Sequence, residues 1–135
     1  MKVSVIVVVH AGAHHLEDSL GSLTRYAERS DVEVVLVDNA SADRCGDEAR
    51  KRYPWARVVR SDHNSGFAGG VHLGAEAARG DVLILLNDDA AAQEGFVEGH
   101  LETLASHPGA AVSAGRLVDW GGDRHDFLRG GVTFD

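Results

Sequence analysis

The 135-residue chain has one cysteine, Cys45, which excludes an internal disulfide and any cysteine-rich zinc site and suits a reducing compartment. Its longest unbroken apolar runs, Val5–Val9 and Val82–Leu86, are five residues each, where a bilayer span needs ~20. No charged-then-apolar leader precedes them, so the sequence predicts neither a signal peptide nor a membrane span. Positive charge is also scarce. Thirteen Lys and Arg against 21 Asp and Glu leave a net charge of −8, which argues against a nucleic-acid-coating surface. If such a chain handles phosphate, it must do so through local backbone donors or a metal ion.

Several motifs are missing as well. Gly12 stands alone after the first apolar run, without the G-x-G-x-x-G pattern of dinucleotide binding. There is no G-K-[ST] of a P-loop and no G-x-S-x-G nucleophile elbow. His10, His14 and His15 straddle Gly12 and need not share a face, which speaks against a zinc site. Cys45 has no nucleophile signature around it.

What the sequence does have is alternation. Val3–Val9 and Val32–Val37 read as strands buried on both faces, Arg57–Arg60 as a short third strand, and Val82–Leu86 as the most apolar. Leu16, Leu20 and Leu23 predict a helix over about 13–28. Ser41 predicts a helix N-cap, with the helix running to about Arg52 before Pro54. A Gly-rich loop over 61–70 precedes a helix of about 71–79 capped by Gly80. A last helix over about 93–106, a fifth strand over 111–118 and an irregular tail complete the reading. Strands alternating with helices make one α/β domain with a mainly parallel sheet.

Ligands of open parallel sheets sit beyond the carboxyl ends of the strands. Here those ends are polar: His10-Ala11-Gly12, Asp38-Asn39-Ala40-Ser41, Asp62-His63-Asn64-Ser65-Gly66 and Asn87-Asp88-Asp89. Singly, each is an ordinary turn or cap. Gathered on one rim, they suggest a site. Asp88 and Asp89 repel each other unless a proton or cation intervenes. Hard Mg²⁺ or Mn²⁺ commonly joins one or two carboxylates to substrate phosphates.

These blocks also carry a resemblance. Val3–Val9, Leu16-Glu17-Asp18-Ser19-Leu20 with Leu23, and Glu33–Ser41 with Asp43 resemble the opening of family 2 glycosyltransferases. Asn64-Ser65-Gly66-Phe67-Ala68-Gly69-Gly70, with Leu73-Gly74 and Ala77, and then Leu85-Leu86-Asn87-Asp88-Asp89, are similar to the rhamnosyltransferase-like branch. The resemblance implies a GT-A fold and transfer of a sugar from a nucleotide diphosphate sugar, usually with inversion.

Carried over by position, it gives Asp38 to the nucleotide base, beside main-chain contacts at Val9 and His10. It sets Asn64, Gly66 and Gly69 near the nucleotide and donor sugar, Asp88 beside the ribose or metal, and Asp89 on Mg²⁺ or Mn²⁺. The expected donor is of uridine or thymidine type, and the expected location is the cytoplasm or the inner face of the membrane. Two positions depart from the pattern: His10-Ala11 replaces an aromatic residue and Asn, and Asn87 replaces the first acid of the metal motif.

The family's acceptor site and catalytic base lie further along the chain than its metal motif. Glu94, Glu98, Asp119, Asp123 and Asp126 match no family motif, so the expectation is a truncated, donor-binding part. The alternatives are an inert nucleotide-binding module that works with a partner chain and, less in keeping with the missing glycines, half of a nicotinamide-dependent dehydrogenase. Trp120, Phe127, Leu128, Val132 and Phe134 in the tail predict self-association or docking to another chain.

Overall fold

Four β-branched or aliphatic segments form one parallel sheet in the computed structural model, which describes residues 1–118. They are β1 (Val3–Val9), β2 (Val32–Asn39), β3 (Arg57–Ser61) and β4 (Val82–Asn87), in the order β3-β2-β1-β4. The connections are a run of short helical turns over residues 13–26, then α1 (Cys45–Arg52) and α2 (Gly66–Ala77). The register pairs Val9 with Asp38 and Asp38 with Arg60 on one face. Val8 pairs with Val37 and Val37 with Val59 on the other face. Successive strand residues point to opposite faces, and this alternation decides the fates of Asp38 and Asn39.

α2 packs across β1 and β2, where Ile6, Val35 and Val37 are buried beneath it with Val8, Val59 and Leu73 around them. Two glycines allow so close an approach. A Cβ on Gly70 would lie 2.5 Å from Val8 Cγ1, and one on Gly74 would lie 2.6 Å from Ile6 Cγ2. α2 does not extend over β4. Ile84 and Leu86 are therefore buried on one face, while Leu83 and Leu85 on the other are 44% and 48% exposed.

The structure departs from the sequence reading at five places. The segment over 13–26 buries Leu16, Leu20 and Leu23 as expected. It does so as a 3₁₀ turn (Ala13–His15), a π turn (Glu17–Gly21) and a second 3₁₀ turn (Thr24–Tyr26). Ser19 Oγ donates to the His15 carbonyl at 3.2 Å and Ser22 Oγ to that of Ser19 at 2.7 Å, side-chain bonds that compete with a regular ladder. α1 begins at Cys45 rather than at Ser41, although Ser41 Oγ still accepts from the Cys45 N–H at 3.2 Å.

The Gly-rich stretch is the first turn of α2 and not a loop, with Gly66 at φ +72° making the entry. Gly80 is not the cap of α2, which ends at Ala77. It lies instead against β1, and its N–H donates to Ser4 Oγ at 2.8 Å. Finally, 111–118 is no strand; it carries only an isolated bridge at Val118.

The chain divides into two compact units, Met1–Glu94 and the part from Gly95 onward. In the second, α3 (Phe96–Ser106) starts after Gly95 at φ +77°. His100 Nδ1 lies 2.7 Å from Ser113 Oγ, tying the helix to the segment that follows it. Among the described residues no helix is long and apolar enough to cross a membrane. The predicted tail, with its five apolar side chains and with Asp119, Asp123 and Asp126, lies outside the described residues.

Candidate functional site

The strand order places a topological switch point between β1 and β4. From β1 the chain winds outward through β2 to β3, then crosses back over the sheet through α2 to β4. A crevice at the carboxyl ends of two strands that diverge in this way is the usual ligand position of an open α/β sheet. Its walls are His10–Gly12 after β1 and Asn87–Asp89 at the end of β4.

Asp88 and Asp89 occupy the middle of a tight turn closed by the Ala90 N–H on the Asn87 carbonyl at 3.2 Å. The Asp88 carboxylate folds back over Gly12, where a Cβ would lie 2.7 Å from Asp88 Oδ2. Asp88 is half-buried, Asp89 is exposed, and neither side chain bonds to a described residue. Two neighbouring carboxylates with free oxygens suit a hard divalent ion. Among the described residues no group of three or more His, Cys, Asp and Glu gathers into a metal cage. An ion here would take its remaining ligands from water and from the phosphates it bridges.

Asp38 is placed differently. It is 1% exposed and points to the face of α1. Oδ1 accepts from the Ser41 N–H at 2.8 Å; Oδ2 accepts from the Gly46 N–H at 3.2 Å and from Arg60 Nη1 at 2.5 Å. Arg60 also donates through Nη2 to the Ser41 carbonyl at 3.2 Å. A Cβ on Gly46 would lie 2.5 Å from Asp38 Oδ2, so the carboxylate fills the space that glycine leaves. The carboxylate that the sequence assigns to a nucleotide base is thus held by the β2–α1 connection and by Arg60 of β3.

Asn39, one residue on, points to the α2 face and organises the entry to that helix. Its Nδ2 donates to Asn64 Oδ1 at 3.0 Å and to the Gly66 carbonyl at 2.9 Å. Its Oδ1 accepts from the Ser65 N–H and Ser65 Oγ, both at 3.1 Å. Asn64 Oδ1 also accepts from the Gly66 N–H at 2.9 Å. Asn64 and Gly66 are exposed and Gly69 is half-buried at this helix start. His10 is exposed at the end of β1, its Nδ1 2.8 Å from the Asn39 carbonyl oxygen. The buried Asn39 thereby links β1, β2 and the start of α2.

Asp43 fastens the same loop from the other side, accepting from the Ala13 N–H at 3.1 Å and the Cys45 N–H at 3.1 Å. Burial pushes its carboxyl up, but these two backbone donations together with the Ser41 and Cys45 side chains outweigh burial and hold it below the usual 3.8. Ala40 at φ 57° and Arg44 at φ 53° are left-handed, so the loop between them carries strain at residues without glycine's freedom. Cys45 is fully buried, and burial pushes its thiol up, as expected of an inert cysteine.

Sequence reasoning puts Asp38 on the rim together with His10, Asn64, Gly66, Gly69, Asp88 and Asp89; the parallel sheet sets the strand ends that carry them along one edge, with Val9 and Asp38 buried. That reasoning misses Asn39, Arg60 and Gly46 as organising residues. The signal available was the alternation of strand faces, which sends Asp38 and Asn39 in opposite directions.

The model of the family described as Glycosyl transferase family 2 matches residues 4–131. The dolichol-phosphate mannosyltransferase of Pyrococcus furiosus is 25% identical over 128 residues, covering 89% of this chain and 36% of its own. The N-acetylglucosaminyl-diphospho-decaprenol L-rhamnosyltransferase of Mycobacterium tuberculosis is 30% identical over 119 residues, covering 80% and 38%. Among solved structures, the mannosyltransferase PcManGT of Pyrobaculum calidifontis in complex with GDP-Man and Mn²⁺ superposes with a TM-score of 0.74 at 25% identity, over 86% of this chain and 36% of that one. TarS of S. aureus in complex with UDP-GlcNAc superposes with 0.68 at 21% identity, over 84% and 37%. The chain spans just over a third of the length of these relatives. Its parallel sheet flanked by helices has the GT-A fold of these neighbours. The chain belongs to glycosyl transferase family 2.

Proposed function

We propose that residues 1–135 form the donor-binding part of a glycosyltransferase that moves a sugar from a nucleotide diphosphate sugar, of uridine or thymidine type, to an acceptor hydroxyl with inversion. The observation that carries this reading is the free pair Asp88–Asp89 at the switch point, with Asp88 folded over Gly12. Asp89, with Asp88 beside it, would hold Mg²⁺ or Mn²⁺. When bound, such an ion neutralises charge on the diphosphate leaving group. The chain's own residues shape the rest of the pocket. Val9 and His10 offer main-chain groups at the end of β1, and Asn64, Gly66 and Gly69 line the start of α2.

The GDP-Man and Mn²⁺ bound by one neighbour and the UDP-GlcNAc bound by another support this reading. The 30% identity to a rhamnosyltransferase supports the branch and a role in cell-wall or polysaccharide assembly; the location that goes with this reading is the cytoplasm or the inner face of the membrane. An inverting transfer also needs a carboxylate base to take the acceptor's proton. Glu94 and Glu98 are exposed.

Calorimetric titration of the chain with UDP in Mn²⁺ and in chelator tests the proposal. Binding at least about ten-fold tighter in Mn²⁺ is expected, a difference of about 1.4 kcal/mol, and Asp89→Asn should remove it. Equal affinity in both buffers would overturn the metal-assisted reading, and no binding in either would overturn the nucleotide reading altogether.

A further inference from the structure

The turn that carries Asp88 and Asp89 has little secondary structure of its own. β4 ends at Asn87 and no helix begins before Phe96. The local bond, from the Ala90 N–H to the Asn87 carbonyl at 3.2 Å, closes the turn but does not fix its place on the rim. Further along the same connection, Ala92 is buried, at 5% exposure. Its N–H donates to Ser22 Oγ at 2.9 Å, a residue 70 positions away in the sequence.

Ser22 is itself firmly held. It follows the π turn Glu17–Gly21, and Leu20 and Leu23 on either side of it are fully buried. Glu17 of that turn accepts from Tyr53 Oη at 3.0 Å and from Arg52 Nη2 of α1. Ser22 Oγ donates its one hydrogen to the Ser19 carbonyl at 2.7 Å, and its lone pairs remain to accept from Ala92. A hydroxyl serves a carbonyl and an N–H at once, which a methyl cannot do. π turns recur at functional sites, and this one is followed by the hydroxyl that meets the connection carrying the two acids.

We infer that Ser22 is a positioning residue for Asp88 and Asp89: its hydroxyl anchors Ala92 and so fixes the path of the chain that presents the two acids. That path is pinned at both ends, at Asn87 by its pairing with Val8 in the sheet and at Ala92 by Ser22. The carboxylates are thereby arranged before an ion arrives, and binding need not first order the connection. Without the hydroxyl, the buried Ala92 N–H loses its acceptor and the far end is released. The inference rests on the metal-binding reading of Asp88 and Asp89 above. It adds to that reading a residue that acts only through the position of the turn.

Amide hydrogen exchange followed by NMR, together with titrations of UDP in Mn²⁺ and in chelator, tests it. In the wild-type chain the Ala92 amide should exchange at least about ten-fold more slowly than that of Ala91, which is exposed. Ser22→Ala should erase that difference, and Ser22→Thr, which keeps the hydroxyl, should retain it. Ser22→Ala should also cut the gain in UDP affinity from Mn²⁺ from about ten-fold to about two-fold, with the affinity in chelator unchanged. Ser22→Cys, which keeps the side chain's bulk but accepts poorly, should behave like Ser22→Ala, and Ser22→Thr should keep the full gain. A hydroxyl that serves stability alone would lower the urea midpoint of Ser22→Ala and leave its Mn²⁺ gain whole. That result would overturn the inference and leave the proposed function intact. Equal exchange at Ala91 and Ala92 in the wild type would overturn it without any variant. A wild-type chain whose UDP affinity ignores Mn²⁺ would overturn the metal reading and the inference with it.

Discussion

Asp38 and Asp88 both lie at the carboxyl end of the sheet, and each carboxylate sits over a glycine whose Cβ it would displace, Gly46 for Asp38 and Gly12 for Asp88. Their surroundings nevertheless have opposite consequences. Gly46 lies in the first turn of α1 and its N–H donates to Asp38, with Ser41 and Arg60 completing the set, so that carboxylate is held inside the protein. Gly12 brings no such donor to Asp88. With Asp89 beside it, Asp88 keeps its oxygens free at a topological switch point. The contrast shows that an acid at a strand end is not informative by position alone. What matters is whether the protein already supplies the donors that a ligand would otherwise provide.

Removing the buried acid should have the largest effect. Asp38→Ala leaves the Ser41 and Gly46 N–H groups and the Arg60 guanidinium without their acceptor. Breaking a buried charge pair costs ~3–5 kcal/mol. Arg60 is 40% exposed and can partly rehydrate, so we expect a loss of about 2–4 kcal/mol, read as a lower urea midpoint. A loss below about 0.5 kcal/mol, the range of ordinary surface substitutions, would mean that Asp38 does not hold the β2–α1 connection.

Gly46→Ala should act more mildly through the same contact. Its Cβ would come 2.5 Å from Asp38 Oδ2, and the overpacking should cost about 1–3 kcal/mol. Unchanged stability would show that the carboxylate can move aside.

Asp43 sharpens the comparison through pH, with a smaller effect. Its carboxyl is held below 3.8 by the Ala13 and Cys45 donations and the Ser41 and Cys45 side chains, against the upward push of burial. A depressed native value stabilises the fold above the unfolded value, and the contribution is lost as pH falls through the native one. Wild type should therefore exceed Asp43→Asn in stability at neutral pH, with the gap narrowing below about pH 4. A gap that widens in acid would contradict the assignment.

Much of this was legible in the sequence, for identifiable reasons. Strands β1, β2 and β4 follow from near-continuous apolar runs, which do not depend on their neighbours to be recognised. The rim followed from the strands, because parallel strands joined by crossovers put all their carboxyl ends on one side. The start of α2 was not legible. Five residues that include Gly66, Gly69 and Gly70 look like a loop by composition, yet Gly70 and Gly74 are there to let a helix approach Val8 and Ile6. The segment over 13–26 was half legible: its leucine stripe is buried, but the hydroxyls of Ser19 and Ser22 bond carbonyls within it, and its hydrogen-bond pattern is irregular. The fate of Asp38 depended on Gly46, eight residues on, and on Arg60 of the neighbouring strand, which meets it only through the fold.

Asp89, with Asp88 beside it, is proposed to bind the metal, whereas the buried Asp38 supports the fold. Thermal denaturation of wild type, Asp38→Asn and Asp89→Asn, each with and without UDP and Mn²⁺, tests this contrast most directly. The account predicts that Asp89→Asn keeps the wild-type Tm and loses the ligand-induced rise, whereas Asp38→Asn starts from a lower Tm and still rises with ligand. A normal Tm with no ligand-induced rise in Asp38→Asn, together with a full rise in Asp89→Asn, would contradict it.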